Sequence, residues 1–301
     1  MKGPVPRPKR RRRRLAVAVL LATAAGLAFT SNHLLADPSA PASGRTVHGS
    51  AHPVPARSRL VFREEFDGDS LDGRRWNDCH WWAVDGGCTI QTNNELQWYR
   101  PENVSVANGR LRLQAREESV EGPDGRRFAY TSGMVTTGPA YAEEGRPAKR
   151  TFTYGYVEAR LRLPADTGLW PAFWMLPADE ESKPEIDILE TIDDRTREAR
   201  FHFHYRDGAD TRSLGHTYVG PNLAAGWHRV AVDWRPGRIT WIVDGRARWE
   251  VRGEAVPDEP MYLVLNLAVG GNYPDPPDES TDFPATMKVD WVRVWQRTAP
   301  R

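Results

Sequence analysis

Two cysteines in 301 residues, Cys79 and Cys88, are too few for a disulfide-built scaffold. With no further ligands beside them they are also too few for a structural zinc site. No stretch is apolar for long enough to cross a bilayer: the longest run, residues 15–30, is sixteen residues. As a helix it reaches about 24 Å, against the roughly 30 Å of a hydrocarbon core. No internal repeat appears, and beyond residue 57 no amphipathic pattern lasts three helical turns. Outside the N-terminus basic residues are outnumbered by acidic ones. Eight of the 41 Lys and Arg, and none of the 40 Asp and Glu, precede Asp37, which leaves 33 bases against 40 acids. The formal net charge of +1 therefore belongs to the leader. An acidic body excludes nucleic acid as the expected partner and suits neutral or cationic ligands.

What is present starts with Lys9 and the arginines of 10–14, followed by the apolar run. This is the pattern of a secretory signal peptide over residues 1–36, with cleavage near Ala36; an uncleaved signal anchor is the alternative. The arginine cluster is compatible with a twin-arginine route without deciding it. Residues 37–57 are rich in Pro, Ala, Ser and Gly without apolar periodicity, and read as a flexible linker. Residues 58–298 then form a single domain. The expected location is extracellular, with no stable membrane association after signal cleavage and a monomeric state. In that setting Cys79 and Cys88 are expected to form a local disulfide, and so short a loop contributes roughly 2.5–3 kcal/mol. Asn103-Val104-Ser105 fits a glycosylation acceptor triplet.

Short period-two segments fill this domain. Val157, Ala159, Leu161 and Leu163 alternate with Glu158, Arg160 and Arg162; Leu111, Leu113 and Ala115 alternate with Arg110, Arg112 and Gln114. Turns at Pro236-Gly237 and Asp244-Gly245 join segments 230–234, 239–243 and 247–251 as hairpins. Many short strands with Gly and Pro turns predict an all-β sandwich or barrel with antiparallel pairing. Of the twelve tryptophans, Trp291 and Trp295 are expected in the core of the last strand.

The densest signal is Glu185-Ile186-Asp187-Ile188-Leu189-Glu190. In a strand Glu185 and Asp187 share one face and Ile186 and Ile188 the other. Strict alternation would turn Glu190 into the core, where an unpaired carboxylate is costly. One extra residue, a β-bulge near Ile188–Leu189, returns Glu190 to the acid face and buries Leu189. Just upstream, Trp170 and Trp174 lie four residues apart, so in a strand they share a face and can stack on pyranose rings. Paired carboxylates in unlike environments are the minimum set for cleaving a glycosidic bond. On a flat sheet Glu185 and Glu190 would stand roughly 13 Å apart at Cα, so this chemistry demands a curved face. Three acids so close titrate as a coupled set, with Glu185 expected ionised and Glu190 protonated. Spacing alone also admits calcium ligation or a structural acidic face.

The segment resembles the active-site motif of glycoside hydrolase family 16 in its bulged E-x-D-x-x-E form, typical of laminarinase-like members. Further stretches resemble the family in order: Glu65-Phe66-Asp67-Gly68, Asn93-Asn94-Glu95-Leu96-Gln97, Tyr154-Gly155-Tyr156-Val157-Glu158-Ala159-Arg160, the Gly168 to Pro177 run, and Leu265-Asn266-Leu267-Ala268-Val269-Gly270-Gly271-Asn272. The likeness covers nearly everything from Leu60 to Trp295.

It implies a concanavalin-like β-jelly roll with a concave substrate cleft. By the family pattern Glu185 would be the nucleophile, Glu190 the acid/base and Asp187 the assisting acid of a retaining endo-β-glycanase. The expected substrate is a polysaccharide, β-1,3- or mixed β-1,3/1,4-glucan. Trp170 and Trp174 would shape sugar subsites, Asn94 a polar wall of them, and His204 would stand beside the acids with His202 supporting it. Catalysis would need no cofactor. A structural calcium would fall near Glu65, Gly109 and Asp290. Met134 stands where many laminarinase-like members carry a basic, sugar-contacting residue. That departure keeps galactans and bacterial exopolysaccharides open as substrates, and a non-catalytic carbohydrate-binding protein or a transglycosylase as the alternative activity.

Overall fold

Period-two patterning becomes two packed, almost wholly antiparallel sheets in the computed structural model, which describes residues 41–79, 88–122, 125–139, 147–179 and 182–298. The expected signal peptide and the first residues of the expected linker lie outside them. Strands are numbered in chain order. The larger sheet runs β1 (Ser43–Thr46), β15 (Arg246–Arg252), β14 (Arg238–Val243), β13 (His228–Arg235), β8 (Gly155–Arg162), β17 (Ala285–Arg297), β5 (Leu111–Glu121), β6 (Arg127–Ser132) and β3 (Gln97–Tyr99). Within it β2 (Ser58–Glu64) also pairs with β17, and β4 (Val104–Val106) with β5. The smaller sheet runs β12 (Asp210–Val219), β11 (Glu198–Asp207), β10 (Glu185–Glu190), β9 (Leu169–Pro177), β16 (Met261–Val269) and β7 (Met134–Thr136). This is the expected jelly-roll sandwich.

The core lies between the sheets and follows the alternation. Leu111, Leu113, Val157, Ala159, Val230 and Val232 from the larger sheet meet Phe173, Met175, Ile186, Phe201, Leu263 and Leu265 from the smaller. The hairpins form as expected; Asp244 and Gly245 take φ of 51° and 72°, the left-handed pair that a two-residue hairpin turn requires.

Four expectations bearing on the fold are corrected. Residues 41–57 are not a free linker: β1 pairs with β15, Ala51 bridges Arg246, and Ala42 is 3% exposed. Composition could not show this, because the segment gains its order from an edge it covers rather than from its own periodicity. Trp291 and Trp295 do not face the core. A bulge between Val289 and Trp291 shifts the register of β17, so Val289, Val292 and Val294 point inward. Trp295 instead packs with Tyr156, Ala231, Ile242 and Val54 on the outer face, beneath the N-terminal segment. Asn103 is 1% exposed, and its amide donates to the Gln114 carbonyl at 2.8 Å, so it is no glycosylation acceptor. Met134, expected to lack a basic contact to sugar, is fully buried, its Sδ 3.9 Å from Cys88 Sγ of the Cys79–Cys88 disulfide.

The calcium expectation also fails its fit test. Glu65 accepts two hydrogen bonds from Arg293 at 2.8 Å and one from Arg63 at 2.9 Å. Asp290 is paired with Arg160 and lies 3.9 Å from Arg110. A dication near Glu65, Gly109 and Asp290 would face four guanidinium groups, so these side chains do not fit that ion.

Candidate active site

The bulge in β10 forms where the pattern requires it. Asp187 pairs with Trp174 on β9, and Leu189 follows with Phe173, the next residue back, leaving Ile188 as the extra residue. On the other side Asp187 pairs with His202 and Glu190 with Arg200. Ile188 and Leu189 are each 1% exposed, and Glu190 returns to the same side as Glu185 and Asp187. From the larger sheet Trp241 Nε1 donates to the Asp187 main-chain carbonyl at 2.8 Å, fixing the strand just before it bulges.

The three acids line a cleft of about 600 Å³. Trp170, Trp174 and Leu176 from β9, Ile90, Thr92 and Asn93 from the turn before β3, and Ser182 and Lys183 from the turn into β10 form its walls. His202 and His204 of β11 and Tyr273 after β16 complete them. The Tyr273 ring packs 5.1 Å from that of Trp170 and is half exposed, an open aromatic face at the cleft edge. Trp170 Nε1 donates to Glu190 Oε1 at 2.8 Å. Trp174 Nε1 donates to Asn266 Oδ1 at 2.7 Å, and the Asn266 amide donates to the Tyr99 hydroxyl at 2.9 Å. Both tryptophan rings are thus locked against the site that they line.

Each acid has a different partner. Glu185 forms an ion pair with Lys183, two residues before it on the same face. Asp187 Oδ2 lies 3.2 Å from His204 Nε2. Glu190 Oε2 lies 2.6 Å from His202 Nδ1. Side-chain polar atoms of Glu185, Asp187 and His204 all lie within 4.8 Å of one another, as do those of Asp187, Glu190 and His202. By spacing alone either trio could surround a cation; in each, however, the imidazole is already bonded to a carboxylate, so neither is assigned as a metal centre.

Electrostatics separate the three. Burial, followed by the charges of Glu185 and Glu190, holds the Asp187 carboxyl well above the usual carboxylate range. Burial also works against ionised Glu190, but the hydrogen bond and charge of His202 and the bond from Trp170 outweigh it and lower its pKa. Burial likewise opposes charging of His202, yet its bond to Glu190 and the nearby carboxylates raise it. His204, by contrast, is lowered by burial. The expected protonation pattern therefore changes. Asp187 is the acid held toward its protonated form, while Glu190 is held toward ionisation by its His202 and Trp170 partners.

Of the residues expected at the site, Glu185, Asp187, Glu190, Trp170, Trp174 and His204 are brought together and Asn94 is not. Asn94 takes a left-handed φ of 53° and donates to Asn272 Oδ1 at 2.6 Å, facing out, while Asn93 forms the wall. Below that wall Glu95 is pushed up to about 7, chiefly by burial; it accepts from Gln97 at 2.6 Å and from Asn93 at 3.1 Å. A Cβ at Gly271 would sit 2.8 Å from the Asn93 carbonyl, which explains why the loop after β16 needs glycine there. Lys183 and Tyr273 were not anticipated. The signal for Lys183 was present in its two-residue spacing from Glu185; Tyr273 lies one residue beyond the recognised Gly270-Gly271-Asn272 stretch.

Comparison with known proteins agrees with this geometry. The profile of glycosyl hydrolases family 16 matches residues 90–293. A glucan endo-1,3-beta-glucosidase A1 of Niallia circulans is 34% identical over 81% of the chain, and an endo-1,3-1,4-beta-glycanase of Rhizobium meliloti is 34% identical over 74%. The chain spans only 39% and 48% of the lengths of those two proteins. A beta-glucanase of Rhodothermus marinus, 32% identical, is covered over 85% of its length. Among solved structures, the catalytic domain of a Thermotoga petrophila endo-1,3-beta-glucanase superposes with a TM-score of 0.70 at 33% identity, over 80% of this chain and 99% of that one. The Pyrococcus furiosus endo-beta-1,3-glucanase gives 0.70 at 34% identity, over 81% and 96%.

Proposed function

The chain belongs to glycosyl hydrolases family 16, and on that premise we propose that it is a retaining endo-β-glucanase acting on β-1,3- or mixed β-1,3/1,4-glucan. The observation that carries the reading is the bulged strand, with Glu185, Asp187 and Glu190 on one aromatic-lined face and Asp187 within 4.8 Å of acids on either side. Glu185 is the nucleophile. Its carboxylate attacks the anomeric carbon as the glycosidic bond breaks, and Glu190 delivers a proton to the departing oxygen. Water then attacks the glycosyl ester from the same face, giving its proton to Glu190 and releasing Glu185, so configuration is retained. A protonated Asp187 between the two donates a hydrogen bond as each carboxylate gains or loses charge. Trp170, Trp174 and Tyr273 offer faces for successive sugar rings.

Glucan is favoured as substrate by the relatives' names and by a cleft whose described lining residues include no arginine and one lysine, Lys183, which is paired with Glu185. Export fits the basic and apolar leader together with the Cys79–Cys88 disulfide.

The test is a polysaccharide panel of laminarin, lichenan, agarose, xyloglucan and a bacterial exopolysaccharide, run on wild type and Glu185→Gln. Wild type should release oligosaccharides from laminarin, lichenan or both. The variant should lose on the order of 10⁴-fold or more in rate with an unchanged circular dichroism spectrum. Full activity in Glu185→Gln would remove the nucleophile assignment.

A further inference from the structure

His202 is bonded to the one acid that must carry a proton into the reaction, at 2.6 Å from Glu190 Oε2. The space for its ring is built. His202 pairs in register with Gly215 on β12, and a Cβ at Gly215 would lie 2.6 Å from His202 Cδ2, so any side chain there would displace the imidazole. His204 stacks beside it, ring centroids 5.7 Å apart and planes 30° apart. We propose that His202 is a positioning residue that holds the proton Glu190 delivers, so that acid and imidazole work as a dyad. The inference rests on the reading of Glu190 as the acid/base.

An ionised Glu190 oxygen only accepts, so the Nδ1 facing it carries hydrogen; with the imidazole titrating above its ordinary value, the pair is imidazolium with carboxylate at pH below that titration. The groups facing His202 are Glu190 and Asp187 of β10 and His204 of its own strand, while Tyr273 from the loop after β16 lines the same cleft. From β12 the facing residue is Gly215, which carries no charge. The carboxylates dominate, and the imidazole titrates above its ordinary value despite burial. Protons balance over the cycle. The Nδ1 proton passes to Glu190 and on to the glycosidic oxygen as that bond breaks and the Glu185 ester forms. This leaves neutral His202 beside Glu190, which is anionic as before; the negative charge Glu185 loses in forming the ester is balanced by the positive charge His202 gives up with its proton. In the second step water's proton goes to Glu190 and back to Nδ1, and Glu185 recovers its charge.

Two measurements test this. The first compares His202→Gln with wild type on laminarin and on a 2,4-dinitrophenyl β-glycoside of a glucan disaccharide, whose leaving group needs no proton. Glutamine retains an N–H donor toward Glu190 but cannot hold and release a proton. The loss on laminarin should exceed the loss on the aryl glycoside by about tenfold or more. Equal losses on the two substrates, or none on either, would overturn the proposal. The second follows the His202 ring by NMR titration: its midpoint should stand above about 6.5 in wild type and fall by a pH unit or more in Glu190→Gln. An unmoved midpoint would contradict the dyad. If Glu190→Gln itself hydrolyses laminarin at the wild-type rate, the acid/base reading fails instead, whatever His202 does.

Discussion

Single residues on the sandwich show how far local pattern carries. Glu185, Asp187 and Glu190 were legible because their arrangement depends on one strand and its bulge, and the off-period Glu190 announces the bulge. Which partner each acid takes was not, and Lys183 was missed altogether. Lys183, His202 and Trp170 reach them through pairing and loop geometry, and a turn of 3₁₀ helix at Gln91–Asn93 puts Asn93 rather than Asn94 at the cleft. Glu158 shows the same limit. Alternation places it outward, yet it is 3% exposed, and burial pushes its carboxyl up to about 7 despite Arg229 at 3.9 Å. A carboxyl raised in the folded state stabilises the fold below the unfolded pKa, and that contribution is lost as pH rises through the folded value. Wild-type stability should therefore fall between about pH 4.5 and 7.5 by on the order of 3 kcal/mol on account of this group. Glu158→Gln should make that part of the profile shallower by this share, leaving the fall due to the similarly raised Glu95. Urea midpoints measured across this range decide it, and parallel curves for the two proteins would refute the buried-acid account.

At the level of elements, the segment preceding β2 carries the clearest lesson. Its Pro, Ala and Ser content reads as a tether, but it lies on the outer sheet as β1 and a strap. His52 Nε2 lies 2.9 Å from Asp233 Oδ2, and the Tyr156 hydroxyl donates to the His52 carbonyl at 3.3 Å. Asp233 is fully buried; burial opposes its charge, but His52, Arg235 and Arg297 together hold it far below the usual carboxylate range. Short edge strands have too few residues to show a period, so only the partner reveals them. A protein beginning at residue 58 should be less stable than one beginning at 37 by on the order of 3 kcal/mol, since Trp295 and Tyr156 lose their cover. That corresponds to a fall of roughly 6–12 °C in Tm for a domain of this size. Equal melting temperatures would mean that the strap contributes nothing to the fold.

At the scale of the whole molecule, the sandwich architecture was legible because alternation, turns and motif order all point to one fold. Which face of the smaller sheet opens as a cleft was legible too, through Trp170, Trp174 and the acids. Less accessible was how the body is closed: the β17 bulge that turns Trp291 and Trp295 outward, the arginines that occupy Glu65 and Asp290, and the disulfide that seats Met134 beneath the cleft. Each of these is a relation between distant segments. The reaction, in contrast, depends on one strand, its two neighbours and a loop, and its stereochemistry follows from two carboxylates acting in turn on one anomeric carbon. Proton NMR of the anomeric region during the first minutes of laminarin or lichenan hydrolysis reads that stereochemistry directly. The account predicts that the β-anomer of the new reducing end appears first and mutarotates to α; an α-anomer appearing first would contradict it.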